Sequence, residues 1–285
     1  MRYKMRVYAK LNLFLKVKGL DKNDRHILET LMASVGIYDT VAVSKRSDGK
    51  IFVEMPLKIS EKNNALIAAE DLQKRHGFGG VDIYIEKGIP LKSGMGGSSA
   101  DTAAAVYGLK KLYGSFDGDF SVYGDDTPFM LSGGVMEYPS FLDKKDRDRL
   151  FKVLSGYGLV VFKPKGGLLT KDVFRKYDET SGSANKTANI KSLVDAILND
   201  DKRAIEANVF NDLFFAASKI EPSLIDIRDN IASRGSFACG MTGSGNAFFG
   251  LYGDEREAAA AKDAFKFFDG EVFLCGFKGR GIEEV

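Results

Sequence analysis

The alternation of apolar and polar residues predicts that the chain begins with a β-strand. Between residues 5 and 18, aliphatic side chains occupy alternate positions and would share one face of an extended segment. Lys10 and Asn12 fall two residues apart on the other face. A cation and an amide could therefore meet one ligand there, although a face of this kind is also typical of a strand that is simply solvated on one side.

Apolar spacings of two and of three to four residues predict further strands and helices along the rest of the chain. Strands are expected at 37–44, 50–55, 81–87, 157–163, 237–242, 247–252 and 272–276. Helices are expected at 63–75, 98–113, 170–177, 190–198, 204–218, 222–233 and 255–268. An asparagine is placed to cap the first of these helices. Helices that back an antiparallel sheet, in an α+β fold, fit this order best.

Three connecting segments bear on the organisation of the chain into domains. Glycines predict a hairpin around 132–134, and small polar residues predict a loop at 181–189. The charged run at 143–149 is interpreted as a solvated connection, with a domain boundary near its end. For a chain of 285 residues we therefore predict two domains, 1–150 and 151–285.

Composition narrows the classes of function. The 44% hydrophobic and 28% charged residues are typical of a globular protein, and no segment approaches the ~18 apolar residues that cross a bilayer. The 41 basic residues nearly balance the 39 acidic ones and form no basic stripe, which argues against a nucleic-acid partner. Two cysteines exclude a disulfide framework. We expect a cytoplasmic protein that acts on a small molecule and has no membrane partner.

The glycine-rich loop at 90–100 is the most informative stretch, because it follows a predicted strand and precedes a predicted helix. Glycines let a backbone approach phosphate oxygens with its amides, and the helix adds its positive end. Lys92 could neutralise charge, while Ser98 and Ser99 could donate to a phosphate or bind Mg²⁺. The spacing fits neither GxxxxGK[ST] nor GxGxxG. The alternative is a plain glycine turn that a serine caps.

This loop, PLKSGMGGSSA, resembles the phosphate loop of the GHMP kinases, which reads roughly P-x-x-x-G-[LM]-G-[SG]-S-S-A. The first strand and the glycine turn at 241–249 are similar to the same family, in the same order along the chain. The resemblance implies an N-terminal mixed-sheet lobe that carries the phosphate loop, a ferredoxin-like C-terminal lobe, and a substrate cleft between them. It also implies a kinase that uses ATP and Mg²⁺, and we expect a monomer or a homodimer.

The resemblance assigns roles to individual residues. Asp126 would accept the proton of the substrate hydroxyl, and Lys10 would hold that carboxylate and hydroxyl, with Asn12 beside them. Asp125 is an alternative base, and either aspartate could instead cap a helix. Asn64 would line the pocket for the base of ATP. The phosphates would be held by Lys92, Ser93, Gly94, Met95, Gly96, Gly97, Ser98 and Ser99, with Ser99 as the candidate Mg²⁺ ligand.

Within the family, the segments AKLNLFL and GDDTPF are most similar to the branch whose substrate is an alcohol linked to cytidine diphosphate. The resemblance then implies that His26 contacts the cytosine and that Phe174 stacks on it. Thr242 and Gly243, in the glycine turn, are also assigned to substrate binding. Without the resemblance, a histidine in a turn is more often a surface residue, and a phenylalanine at helical spacing is more often core.

The chain also departs from that branch in ways that leave other substrates open. Its phosphate loop has one glycine fewer, its linker at 114–124 is short, and Arg25 stands where a tyrosine is usual. Alternatives are a GHMP kinase of the mevalonate, phosphomevalonate or homoserine type, in which Arg25 would bind an anionic group. A catalytically silent member that binds nucleotide is a further alternative. A nucleic-acid-binding module is the least favoured.

Overall fold

The protein is described by a computed structural model that covers residues 1–56, 63–140, 142–180 and 187–285. The strands are β1 Arg2–Leu20, β2 His26–Arg46, β3 Ile51–Glu54, β4 Gly80–Glu86, β5 Val135–Tyr138, β6 Gly158–Pro164, β7 Phe210–Asn211, β8 Ala238–Met241, β9 Phe248–Tyr252, β10 Gly270–Cys275, β11 Phe277–Lys278 and β12 Ile282–Glu284. The helices are α1 Asn64–His76, α2 Gly97–Tyr113, α3 Thr127–Ser132, α4 Lys144–Leu154, α5 Thr170–Glu179, α6 Ile190–Leu198, α7 Lys202–Asn208, α8 Phe214–Ile220, α9 Ser223–Ser233 and α10 Glu255–Ala264. A 3₁₀ helix spans Phe120–Tyr123.

The larger sheet is built around the long antiparallel hairpin of β1 and β2. Its order is β12-β1-β2-β4-β3, and β5 and β11 also pair with β2. Strand β3 runs parallel to β4, and β7 runs parallel to β1, whereas the other pairs are antiparallel. The predicted mixed sheet is therefore confirmed. Helices α1 and α2 pack together, and α2 also contacts both β1 and β2.

The smaller sheet has the order β10-β6-β9-β8, with every pair antiparallel. Along the chain, β6 is followed by helices, then by β8 and β9, then by α10 and β10. This is the β-α-β-β-α-β order of a ferredoxin-like fold, in which the first and last strands are neighbours. The ferredoxin-like C-terminal part is thus confirmed.

Both faces of β1 are covered, which excludes the alternative that the face of Lys10 and Asn12 is simply solvated. Every residue from Val7 to Leu15 is buried, including Lys10 and Asn12. Burying a lysine and an amide costs free energy unless both are hydrogen-bonded. The two polar residues must therefore have partners inside the molecule, which the site described below supplies.

Two predictions for the middle of the chain were wrong. No hairpin forms at 132–134: α3 ends there, and Gly133, at φ 67°, leads the chain into β5, which pairs with β2. The charged run at 143–149 is mostly exposed, as expected of a solvated segment, but it is not a simple connection, since 144–149 form the first part of α4. Asp143 caps this helix by accepting a hydrogen bond of 2.8 Å from the backbone N–H of Asp146, and Leu150 is fully buried beneath it.

The predicted helix at 204–218 is divided into α7 and α8 by the short strand β7. Beside that strand, the carboxylate of Asp212 accepts a hydrogen bond of 3.0 Å from the backbone N–H of Val17. Pairing with β1 therefore overrides the local helical spacing. Helix α10 ends at Ala264 rather than at 268. Most of the predicted loop at 181–189 lies outside the described residues.

Strands from the C-terminal half complete the N-terminal sheet. β7 and β12 pair with β1, and β11 pairs with β2. The larger sheet therefore contains strands from both halves of the chain, whereas the smaller sheet is built from residues 158–275 alone. The division into 1–150 and 151–285 stays a prediction. None of the helices in the described ranges is long and apolar enough to cross a bilayer.

Candidate active site

The glycine-rich loop presents an uncapped helix end. It runs from β4 to α2, with Gly94 at φ 75° and Gly96, the residue before α2, at φ 76°. The leading amides of any α-helix have no intrahelical partner, and here the N-cap is a glycine, so no side chain at that position caps them either. Free amides and the positive end of the helix dipole form an anion-binding site. Lys92 is exposed beside it, with φ 52°.

This loop is docked on the glycine turn of the C-terminal half. The backbone N–H of Ala247 donates to the carbonyl of Ser93 at 3.1 Å. A Cβ placed on Gly94 would lie 2.2 Å from the carbonyl oxygen of Thr242, and one on Gly243 would lie 2.6 Å from that of Gly94. Only glycines permit this approach of two backbones, and it joins the two glycine motifs into one structure.

Lys10 and Asp126 meet next to the loop. The Lys10 Nζ atom lies 3.3 Å from Asp126 Oδ2 and donates a hydrogen bond of 2.6 Å to Asn12 Oδ1. Asp126 precedes α3, but its side chain makes no capping hydrogen bond. A Cβ on Gly96 would lie 3.4 Å from Asp126 Oδ2 and 3.3 Å from Lys10 Cγ. The carboxylate of Asp126 and the aliphatic part of the Lys10 side chain therefore lie against the last glycine before α2.

The contact between Lys10 and Asp126 distinguishes the two candidate bases, Asp125 and Asp126. The lysine pairs with Asp126, whereas Asp125 is the more exposed of the two aspartates. Partial burial, together with the neighbouring charge of Asp126, raises the pKa of Asp125, and Arg25 opposes this rise. The structure thus favours Asp126 as the carboxylate that Lys10 holds in place.

Asn12 is fixed from two sides by threonines. Its Nδ2 atom donates to Thr30 Oγ1 at 2.8 Å, and its backbone N–H donates to Thr242 Oγ1 at 2.9 Å. Thr30 in turn donates to the carbonyl of Phe14 at 2.6 Å. Thr242, which the sequence assigned to substrate binding, is fully buried behind Asn12, so its observed contact is with Asn12. Thr30 was missed, since only the pairing of β1 with β2 reveals it.

The predicted site residues line one cleft of about 730 Å³. This volume is within the range of roughly 300–1,000 Å³ that is usual for small-molecule sites. Every residue that the sequence assigned to the site lines it, apart from Thr242: Lys10, Asn12, His26, Asn64, Lys92, Ser93, Gly94, Met95, Gly96, Gly97, Ser98, Ser99, Asp126, Phe174 and Gly243.

An aromatic platform stands away from the loop in the same cleft. The rings of His26 and Phe174 stack with their centroids 4.5 Å apart and their planes 29° apart. His26 Nε2 lies 2.8 Å from Asp178 Oδ1, which fixes the ring. Arg25 also lines the cleft, although its exposed guanidinium pairs with Asp21 at 3.1 Å.

Comparison with known proteins agrees with this geometry. The model of the GHMP kinases N terminal domain matches residues 63–122, and that of the GHMP kinases C terminal domain matches residues 193–269. A 4-diphosphocytidyl-2-C-methyl-D-erythritol kinase of Moorella thermoacetica is 32% identical over 261 residues, which covers 88% of this chain and 90% of that protein. The chain belongs to the GHMP kinases.

Other GHMP kinases are similar over nearly the whole chain. The kinase of the same name from Clostridium novyi is 29% identical and covers 94% of this chain and 98% of its own length. A crystal structure of 4-(cytidine 5'-diphospho)-2C-methyl-D-erythritol kinase superimposes with a TM-score of 0.77 at 27% identity, over 96% of this chain and 98% of that one. Homoserine kinase from Cytophaga hutchinsonii, at 18% identity and a TM-score of 0.75 over 100% of this chain and 97% of its own, shares the fold.

Proposed function

We propose that this GHMP kinase transfers the γ-phosphate of ATP to the 2-hydroxyl of 4-diphosphocytidyl-2-C-methyl-D-erythritol. The observation that carries the proposal is the Lys10–Asp126 pair, 3.3 Å apart and in contact with the glycine that precedes an uncapped helix end. Relatives named for this activity match the chain over about nine-tenths of its length or more. Phosphoryl transfer needs mainly positioning and charge stabilisation, and this site has groups for both.

The phosphate end of ATP would be held by Gly94 to Ser99 and by Lys92. The uncapped amides of α2 suit an anion, and an exposed lysine beside them adds a positive charge. The residues present also fit Mg²⁺, because this ion keeps several waters and takes one or two protein oxygens in addition to phosphate oxygens. Ser99 is the candidate. The described residues contain no cluster of three or more His, Cys, Asp or Glu side chains that could hold a metal by themselves.

Asn64 is available for the base of ATP because its neighbour caps the helix. Asn63 accepts the hydrogen bond from the backbone N–H of Ala65 at 2.8 Å, so Asn63 rather than Asn64 is the cap of α1. Asn64 lines the cleft at the start of that helix. This placement supports its assignment to the nucleotide pocket.

In the proposed reaction, Asp126 accepts the proton of the 2-hydroxyl as the hydroxyl oxygen forms a bond to the γ-phosphorus. The bond between that phosphorus and the bridging oxygen of ADP breaks, so ADP leaves with the electron pair. Lys10 holds the carboxylate and stabilises the charge on the attacking oxygen, and Asn12 keeps Lys10 in place. A general base and accurate positioning of the two reactants each accelerate such a reaction substantially.

The cytosine of the acceptor would bind at the platform of His26 and Phe174. Both rings are partly buried and line the cleft, and an aromatic ring at the edge of a cleft can stack on a planar base. Gly243 lines the same cleft and lies against Gly94 of the loop. A monomeric or homodimeric state and a cytoplasmic location remain predictions.

The proposal is tested by measuring ADP release with MgATP and a panel of acceptors. The panel contains the cytidyl-methylerythritol compound, mevalonate, phosphomevalonate, homoserine and galactose. We expect kcat/KM for the cytidyl compound to exceed that for the others by at least about 100-fold, because a site built around a base leaves polar groups unpaired when the base is missing. Turnover of another acceptor alone would keep the kinase and reject the proposed substrate.

Ser99→Ala is expected to raise the KM for MgATP by about 10-fold, since a hydrogen bond to a charged group contributes roughly 1.5–3 kcal/mol. The KM for the acceptor should change less than twofold, because Ser99 lies at the start of α2 rather than at the aromatic platform. Steady-state kinetics with each substrate varied in turn measures both constants. Ser155→Ala, at an exposed position after α4, is the control, and equal changes in both constants would contradict the assignment.

A further inference from the structure

We infer that Lys87 is a positioning residue for the nucleotide, because it ties together the two ends of the phosphate loop. The inference rests on the proposed kinase function. Lys87 follows β4 and is almost completely buried, with 6% of its side chain exposed. No sequence motif singled it out, and it is not part of the Lys10–Asp126 pair.

Lys87 lies between two buried aspartates. Its Nζ atom donates to Asp39 Oδ2, on β2, and at 2.7 Å to Asp101 Oδ2, on α2. A third contact, at 3.4 Å, is with the carbonyl of Gly97, the first residue of α2. One ammonium group therefore connects the larger sheet with the first turns of the helix whose amides face the cleft.

Asp39 holds the other end of the loop. Its Oδ1 atom accepts hydrogen bonds from the backbone N–H groups of Gly88 at 2.7 Å and Ile89 at 2.8 Å. These two residues come directly before the phosphate loop, whereas Gly97 lies in its last part, where α2 begins, and Asp101 comes directly after it. The two ends of the phosphate loop are therefore connected twice. The backbone of the loop joins them on one side, and the contacts of Asp39 and Lys87 join them on the other.

The charges of Lys87, Asp39 and Asp101 strengthen the connection between β2 and α2. Burial lowers the pKa of Lys87, but Asp101 and Asp39 outweigh that effect and hold it above the ordinary value. Burial raises the pKa of Asp101, the charge of Lys87 opposes this rise, and the neighbouring Asp39 adds to it. Asp101 Oδ1 has no hydrogen-bond partner among the described groups, so the hydrogen bond from Lys87 to Oδ2 is what holds this side chain. Removing one partner of a buried ion pair is strongly destabilising because it leaves a charge uncompensated.

A tie of this kind would set the geometry of the loop before nucleotide binds. The amides at the start of α2 must converge on the phosphates, and a loop that is ordered in advance loses less entropy on binding. Lys87 also lines the cleft, beside Gly97 and Ser98. The expected consequence of its loss is a weaker nucleotide affinity with little change at the aromatic platform.

The experiment compares Lys87→Met and Lys87→Met/Asp101→Asn with the wild-type full-length chain. Calorimetry measures the affinity for MgADP, and ADP-release kinetics measures the KM for MgATP and for the acceptor that the wild type uses. Because Lys87→Met alone leaves two carboxylates buried together and could fail to fold, the double variant removes one of them. Thermal melting checks the fold. Lys45→Met, which removes a lysine from above the Tyr113 ring on the same sheet, is the control.

We expect the double variant to bind MgADP at least about 10-fold more weakly, with the acceptor KM within twofold of the wild type and the control unchanged. Affinity for MgADP within twofold of the wild type would overturn the inference, whatever the melting temperature. An equal rise of both KM values would also overturn it, because a general loosening of the fold would be the cause. If the wild type itself bound no MgADP, the kinase proposal would fail together with this inference, whereas binding with no turnover of the cytidyl compound would remove only the proposed acceptor.

Discussion

Asp126→Asn is expected to reduce kcat by roughly 10³-fold, within the range that general base catalysis contributes. The amide is nearly the same size as the carboxylate but cannot accept the proton of the substrate hydroxyl. It also removes the negative partner 3.3 Å from Lys10 Nζ. Steady-state ADP release at saturating MgATP and acceptor measures the loss.

The fold of this variant should be intact. The side chain of Asp126 makes no capping hydrogen bond to α3, and Lys10 keeps its hydrogen bond of 2.6 Å to Asn12. Asp126 is 29% exposed at the cleft, so the change leaves Lys10 next to solvent rather than in a closed interior. We expect the melting temperature to fall by less than about 3 °C, the shift that roughly 1 kcal/mol produces in a domain of 150–250 residues. A loss of activity would therefore report on chemistry rather than on stability.

Asp125→Asn is the matched control, because it makes the same substitution at the neighbouring position. Lys10 pairs with Asp126, so the change at Asp125 should reduce kcat by less than about 10-fold, below the usual contribution of a base. The opposite ranking of the two variants would transfer the role of base to Asp125. Similar small effects in both would exclude general base catalysis by either aspartate.

Local sequence signals were sufficient for most elements. The predicted bounds of α6 are those observed, and an asparagine caps α1 as expected, although the sequence did not decide that it is Asn63 rather than Asn64. Spacing and capping act over a few residues, so they are visible without knowledge of the fold. The same holds for the phosphate loop, whose glycines adopt positive φ angles between a strand and a helix.

The failures came from contacts between distant parts of the chain. The charged run at 143–149 becomes helical because Leu150 and Leu154, just beyond it, are buried on one side of α4. The segment at 204–218 is broken because Phe210 and Asn211 pair with β1. At 204–218, pairing with β1 overrides local helical propensity. At 143–149, the Asp143 cap and the lysines and arginines already favour a helix, and burial of the two leucines stabilises it.

The same distinction applies to the site. Its motifs were visible because each is a short run of residues, but the groups that support them are far apart in sequence. Thr242 and Asn12, which are hydrogen-bonded, are 230 positions apart in sequence. Lys87 and Asp39, which form an ion pair, are 48 positions apart. No periodicity or local motif records such a pair, so the positioning residues could be found only once β1, β2 and α2 were assembled.

Gly94→Ala tests whether the junction of the two glycine motifs supports the site. The new Cβ would lie 2.2 Å from the carbonyl oxygen of Thr242 and 3.0 Å from the backbone N of Gly245. Backbone atoms cannot rotate away as side chains do, so the phosphate loop must separate from the turn. We expect kcat/KM for MgATP to fall by about 100-fold, as a displacement of roughly 1 Å can cause, and the protein to lose about 3 kcal/mol of stability.

Gly49→Ala separates this steric effect from backbone strain. Gly49 has φ 71°, close to the 75° of Gly94, but nothing lies within 4 Å of its Cβ position. In both variants an alanine must adopt a left-handed backbone conformation, which costs about 1–2 kcal/mol. Only in Gly94→Ala does the new Cβ also collide with backbone atoms of the glycine turn. Chemical denaturation and MgATP kinetics measured on both variants should therefore differ in stability by more than about 1 kcal/mol, with activity lost only at Gly94. Equal stability and equal activity of the two variants would show that the phosphate loop and the glycine turn can separate without loss of function. The loop alone would then form the phosphate site.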